Sequence, residues 1–193
     1  NRNNEQIVML GFSDGTKDGG YLTANWNILK SKEQLIDISS KYGIKLKFFD
    51  GRGGPPARGG GNTHQFYSSM AGIIDTQEIQ LTIQGQTISS NFGTIDSCQY
   101  NLEQLISSAC NNQNLSDSFS YLSDDNRKTM DILSEHSFKT YNDFKNHPMF
   151  LSYLEKMSTI KYYAKTNIGS RPSKRKSSSD VFEIETLRAI PFV

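Results

Sequence analysis

The 193-residue sequence has only two cysteines, three histidines and no useful excess of charge of either sign. Cys98 and Cys110 lie twelve positions apart, so they form neither a CxxC redox pair nor a zinc motif, and two thiols do not make a disulfide scaffold. They read as buried free thiols in a reducing compartment. His64, His136 and His147 show no metal-ligand spacing among themselves. The 21 basic and 20 acidic residues leave a net charge of +1, which excludes a global field for nucleic acid or an anionic membrane. Any anion site must therefore be built locally. No apolar run approaches the roughly 20 residues that a membrane-spanning helix needs. The opening residues, Asn1 to Gln6, are polar and do not read as a secretory leader. These absences point to a cytoplasmic protein with neither nucleic acid nor membrane as a partner.

What is present is an alternation of strand and helix patterns. Ile7 to Phe12 is almost wholly apolar and ends at Ser13-Asp14-Gly15, which predicts a buried strand opening into a loop. From Tyr21 to Tyr42, Tyr21, Ile28, Leu35 and Tyr42 recur every seven residues, with Leu22, Leu29 and Ile36 one step behind. This is the apolar stripe of a helix, and Gly43 stops it. Lys45 to Asp50 reads as a second strand, so the first 50 residues form a βαβ unit and imply a parallel sheet. Beyond it, Asn62 is a suitable N-cap for a short helix to Ala71. Ile79 to Ile83 and Thr87 to Ser89 read as short strands. Ser97 to Asn111, Asp124 to Lys145 and Met149 to Met157 read as helices, and Thr186 to Val193 as a final strand. The expected fold class is α/β, either a (β/α) barrel or a doubly wound sheet. In both, chemistry gathers at the C-terminal ends of the strands. The apolar runs so close to each end lead us to expect a piece of a larger domain, truncated at both ends.

Three segments could carry chemistry. In Ser13-Asp14-Gly15-Thr16-Lys17-Asp18 a carboxylate could hold a divalent cation and a lysine could bind phosphate or act as an acid, although alone the segment reads better as a polar turn. Gly51-Arg52-Gly53-Gly54-Pro55-Pro56-Ala57-Arg58-Gly59-Gly60-Gly61 combines backbone N–H groups that can approach an anion with two arginines able to clamp it. It is neither a P-loop nor a dinucleotide fingerprint, and the competing reading is an RGG-type RNA-binding segment. In the third segment Arg171, Lys174, Arg175 and Lys176 cluster within six residues, a pattern often simply solvated, while Arg188 sits inside an apolar strand where its charge needs a partner.

Taken in order, these segments resemble phosphoenolpyruvate carboxylase. The resemblance rests on Val8-Met9-Leu10-Gly11-Phe12-Ser13-Asp14 with Lys17-Asp18-Gly19-Gly20, and on Gly51-Arg52-Gly53-Gly54 with Arg58-Gly59-Gly60-Gly61-Asn62-Thr63-His64. Thr82-Ile83-Gln84-Gly85, Asn167-Ile168-Gly169-Ser170-Arg171-Pro172-Ser173-Lys174-Arg175-Lys176 and Leu187-Arg188-Ala189-Ile190-Pro191 complete it. It implies a helix-rich, partial (β/α)8 TIM-barrel fragment, with residues 1–193 forming part of a single catalytic domain. It further implies a Mg²⁺- or Mn²⁺-dependent conversion of phosphoenolpyruvate and bicarbonate to oxaloacetate and phosphate, by a full-length parent expected to be a homo-oligomer, a tetramer. By matching position, Asp14 would be a metal ligand and Lys17 a catalytic cation. Arg52 and Arg58 would be catalytic residues of a mobile glycine loop whose Gly53 and Gly54 would bind substrate. Arg58 would in addition capture inhibitory aspartate or malate, and Arg171 and Arg188 would bind the substrate's phosphate or carboxylate.

The sequence departs from that pattern at Asp50, where the family usually has His, and at the stiffer Pro55-Pro56-Ala57. The family's other acidic metal ligand and its loop histidine would lie upstream, so the expectation is that residues 1–193 alone are inactive. A degenerate homologue, another phosphate-using barrel enzyme and an RNA-binding module are the alternatives.

Overall fold

The structure is a computed structural model, and it describes residues 4–54, 59–70, 78–83, 86–114, 122–159, 183–187 and 190. The elements in chain order are β1 (Glu5–Gly11), α1 (Phe12–Gly19), α2 (Tyr21–Lys41), β2 (Lys45–Gly53), α3 (Thr63–Ser68), β3 (Gln80–Ile83), α4 (Gln86–Phe92), α5 (Ile95–Asn114), α6 (Asp124–Lys145) and α7 (Phe150–Met157). A short 3-10 turn follows at Ile184–Thr186. The chain is therefore a helix-rich α/β protein with a three-stranded sheet among the described residues, in the order β1-β2-β3.

Both strand pairs are parallel. β1 and β2 run in register from Glu5 opposite Lys45 to Gly11 opposite Gly51, with α2 as the crossover between them. The βαβ unit expected from the sequence is thus present. Parallel pairing puts the C-terminal ends of all three strands on one edge, where α1 and the glycine-rich segment begin. Between Asp50 and Gly53 the register against β3 slips, because Asp50 faces Leu81 whereas Gly53 faces Ile83. β2 therefore carries one extra residue at the point where the glycine-rich segment starts, a common way for a strand to re-aim a side chain.

The main core packs Phe48 and Met70 against Val8, Leu10, Leu29, Leu35, Ile36, Leu46 and Phe66. This buries one face of the sheet against α2 and α3. A second cluster joins Phe150 and Leu154 of α7 to Ile190, Tyr141 and Ile184. α6 lies along α1 and α2. Thr23 Oγ1 donates to the Ser134 carbonyl at 2.8 Å, Trp26 Nε1 to Asp131 Oδ1 at 2.8 Å, and Arg127 clamps Glu33 with two bonds of 2.8 and 2.6 Å. Local signals explain the helix ends. Asn62 caps α3 by accepting from the Gln65 amide, as its sequence position suggested, and Ser123 caps α6 by accepting from Asn126.

Four expectations need correction. Segment 13–18 is not a loop but most of α1, whose first turn is helped by the Asp14 carboxylate near the helix N-terminus. β1 is not buried on both faces, since Ile7 and Met9 are 53% and 62% exposed while Val8 and Leu10 pack inward. Thr87 to Ser89 belong to α4 rather than to a strand. Of the final strand expected at Thr186 to Val193, Thr186 ends a 3-10 turn, and residues 188, 189 and 191–193 lie outside the described residues. Cys98 and Cys110 are free thiols, but the first is only half-buried and the second is exposed. No helix among the described residues is long and apolar enough to cross a membrane.

Candidate active site

The C-terminal edge of the sheet brings two of the three candidate segments together. Asp14 stands exposed in the first turn of α1, and Lys17, one turn on, is only 7% exposed, with its ammonium 3.5 Å from Asp18. α6 braces the far end of this helix, because Tyr141 Oη donates to the Lys17 carbonyl and Lys145 Nζ to the Asp18 carbonyl, both at 2.8 Å.

The glycine-rich segment returns directly onto α1. A Cβ on Gly59, where φ is +76°, would stand 2.7 Å from Phe12 Cβ, from the Phe12 carbonyl and from Thr16 Oγ1. A Cβ on Gly60 would lie 1.6 Å from the Gly54 carbonyl oxygen and 2.7 Å from that of Arg52. Only glycine allows the backbone to fold on itself this closely. The Gly61 amide donates to the Gly54 carbonyl at 3.3 Å, and Tyr21 Oη donates to the Gly60 carbonyl at 3.2 Å. The two limbs of the segment are thereby joined to each other and to α2.

Arg52 is the charged group at the centre of this fold. It lies in β2 rather than in a loop, and Gly53 ends the strand, which corrects the expectation that both belong to a mobile segment. β2 alternates so that Phe48, Asp50 and Arg52 all point to the buried face, and Arg52 is only 2% exposed. Its guanidinium carbon sits 3.9 Å above the Phe66 ring centroid and 5.9 Å from that of Phe12. Nε and Nη1 are buried with no hydrogen-bond acceptor among the described residues, and so is Thr16 Oγ1. Burial holds the guanidinium below its usual basicity, an effect opposed by the nearby Tyr21, Tyr67 and Asp50. A buried cation with unused donors is a strong anion receptor, because desolvation has already occurred and the ligand supplies the missing acceptors.

Asp50 is engaged elsewhere. Lys32 Nζ lies 2.8 Å from Oδ1 and 2.9 Å from Oδ2, and Tyr67 Oη donates to Oδ2 at 3.0 Å. Burial pulls the Lys32 ammonium below its ordinary range, against the pull of Asp50, and it pushes the Tyr67 phenol well up, with the Asp50 charge adding to it. Sequence reasoning gave no site role to Lys32, Tyr67, Tyr21 or Thr16. One signal was available for Lys32: it follows Ile28 by one helical turn and precedes Ile36 by another, so it interrupts the apolar stripe.

Arg58, Arg171 and Arg188 lie outside the described residues. Phe48 is buried and Phe49 and Phe66 are half-buried, so the aromatic platform that an RNA-binding reading needs is not formed by these rings. Among the described residues no group of three or more His, Cys, Asp or Glu side chains is placed to hold a metal ion, and Asp14 stands as a single carboxylate. Compared with known families, residues 1–193 match the family model described as phosphoenolpyruvate carboxylase.

Proposed function

Because the chain belongs to the phosphoenolpyruvate carboxylase family, we propose that it carries part of the site that joins bicarbonate to phosphoenolpyruvate, giving oxaloacetate and phosphate. The observation that carries the reading is the buried Arg52 guanidinium, whose Nε and Nη1 have no acceptor and whose strand opens into a glycine-rich turn folded onto α1. Phosphoenolpyruvate brings a phosphate and a carboxylate, and bicarbonate is a third anion. Their reaction requires charge to be neutralised while it moves between oxygens. Arg52 suits the phosphate through its fixed fork of donors, and Thr16 Oγ1 adds a hydroxyl on the α1 side. Lys17, buried in the same helix, supplies a compact second cation. The Gly53-Gly54 backbone lets an anion approach closely, and Arg58 with Arg171 and Arg188 would complete the set.

Asp14 suits a Mg²⁺ or Mn²⁺ ion that is held by one or two carboxylates together with the substrate's own oxygens. When bound, such an ion would stabilise negative charge on an enolate oxygen. The protein's own contribution is to hold Lys17 and Arg52 in fixed positions in a dry site, so that little reorganisation is needed during reaction. We read residues 1–193 as part of one catalytic barrel domain. The exposed Ile7 and Met9 face of β1 supports this, since it is the face that a closed barrel would cover.

The test is bicarbonate-dependent oxaloacetate formation by the complete polypeptide carrying residues 1–193, alongside Lys17→Ala and Arg58→Ala variants. Activity abolished by both substitutions, with folding intact, would support the assignment. An inactive wild type would contradict it.

A further inference from the structure

Arg52 has a neighbour well placed to cancel its charge. Asp50 lies two residues away on the same buried face of β2, and it is likewise 2% exposed. A carboxylate there could take the guanidinium for itself, and it would repel an anionic substrate. Instead it is held from the other side, by Lys32 at 2.8 and 2.9 Å and by the Tyr67 phenol at 3.0 Å. Arg52 Nε and Nη1 remain without an acceptor among the described residues.

We propose that Lys32 is a charge-masking positioning residue: by hydrogen-bonding Asp50 Oδ2, with its ammonium also 2.8 Å from Oδ1, it holds that carboxylate off Arg52, and so leaves the guanidinium to the substrate's anionic groups. The inference rests on the carboxylase reading above and names a residue outside the anion-binding set. Lys32 is poorly explained by stability alone. Its ammonium sits 5.1 Å from the Phe48 ring centroid, 5.7 Å from that of Phe66 and 3.9 Å from the Met70 sulfur, an environment that would favour an apolar side chain. Replacing a buried ion pair by apolar groups is often neutral or favourable, so retaining one at a strand face that also carries the anion receptor suggests an electrostatic role. Tyr67 fixes the direction of the carboxylate. Phe66, the preceding residue of α3, stacks on Arg52, so one short helix sets both side chains.

The experiment compares Lys32→Met, Asp50→Asn and the double variant in the complete polypeptide, measuring KM and kcat for phosphoenolpyruvate and thermal unfolding in parallel. Lys32→Met unmasks the carboxylate and is expected to raise KM by on the order of tenfold, the cost of losing one strong charged contact. Lys32→Gln keeps the packing, removes the charge and is expected to act in the same direction. Asp50→Asn leaves no carboxylate to mask, so KM should stay within about threefold even where unfolding occurs at lower temperature. The double variant should return KM to within about threefold of wild type. A double variant as impaired as Lys32→Met, or Lys32 variants with unchanged KM, would overturn the proposal while leaving the carboxylase reading intact. A wild type that neither binds phosphoenolpyruvate nor forms oxaloacetate would overturn both.

Discussion

The Tyr21 phenol, at the start of α2, donates a hydrogen bond to the Gly60 carbonyl at 3.2 Å and so holds the returning limb of the glycine-rich turn against the body of the protein. It also lies close enough to Arg52 to support that group's charge. Tyr21→Phe keeps the ring and removes the hydroxyl, and with it both the bond to Gly60 and the side-chain hydrogen bond to Arg52. A part-buried neutral hydrogen bond of this kind contributes about 1 kcal/mol. We expect kcat/KM for phosphoenolpyruvate to fall about fivefold to tenfold, with thermal unfolding almost unchanged. Wild-type kinetics in this variant would show that the tether does not position the turn.

The turn itself is sterically closed to side chains. Gly60→Ala would drive a methyl group to 1.6 Å from the Gly54 carbonyl oxygen, a separation that forces the two limbs apart. We expect at least about a hundredfold loss of kcat/KM, the scale on which misplacement by about 1 Å acts. Gly59→Ala adds a φ of +76° to a 2.7 Å contact with Phe12 and Thr16, and its strain should cost about 1–3 kcal/mol in stability as well. Activity retained in both variants would contradict the close packing of this turn onto α1.

Much of the framework was legible from local rules. The βαβ unit followed from an apolar run, a seven-residue stripe and a second strand, and Asn62 caps a real helix start. The helical state of residues 13–18 was not legible, because Ser-Asp-Gly is strong turn chemistry and the supports for α1 come from elsewhere in the chain. Tyr141 and Lys145 reach it from more than a hundred residues away in sequence. Thr87 to Ser89 misled through two adjacent β-branched residues, Thr87 and Ile88, in a short stretch where tertiary context decides. In the candidate site, Arg52 and Lys17 were named from their types and neighbours. The Asp50 partnership was not, since Lys32 and Tyr67 meet it only once α2, β2 and α3 have packed.

The junction of α2 and α6 should be tested separately from the site. Thr23 is buried and donates to the Ser134 carbonyl at 2.8 Å. Thr23→Val preserves shape and leaves that acceptor without its side-chain donor, at a cost of about 1–3 kcal/mol. Amide hydrogen exchange should speed up in α2 and α6 and much less in β1 and β2. Uniform acceleration, or none, would contradict a local role for this contact.

Alkaline pH should loosen the same region. Burial, with the Asp18 charge adding to it, pushes the half-buried Tyr141 phenol up to about 12 from an ordinary value of 10.0. Above pH 10 the unfolded chain gives up a phenolic proton that the folded chain keeps, so this contribution to stability is complete below pH 10 and drains away as pH rises through about 12. Tyr67, raised by burial and then by Asp50, acts in the same direction. Titration of phenolate absorbance should show late-ionising tyrosines, and Tyr141→Phe should reduce the loss of stability between pH 10 and 12. An unchanged alkaline loss would assign it to other groups.

The central claim is that the anion receptor around Lys17 and Arg52 serves carboxylation rather than simple phosphate chemistry. The most direct measurement is the release of phosphate and of oxaloacetate in the same sample, by the complete polypeptide with phosphoenolpyruvate, bicarbonate and Mn²⁺. The account predicts equimolar products that both disappear in Arg52→Gln at unchanged fold. Phosphate released without oxaloacetate, or both products persisting in Arg52→Gln, would contradict it.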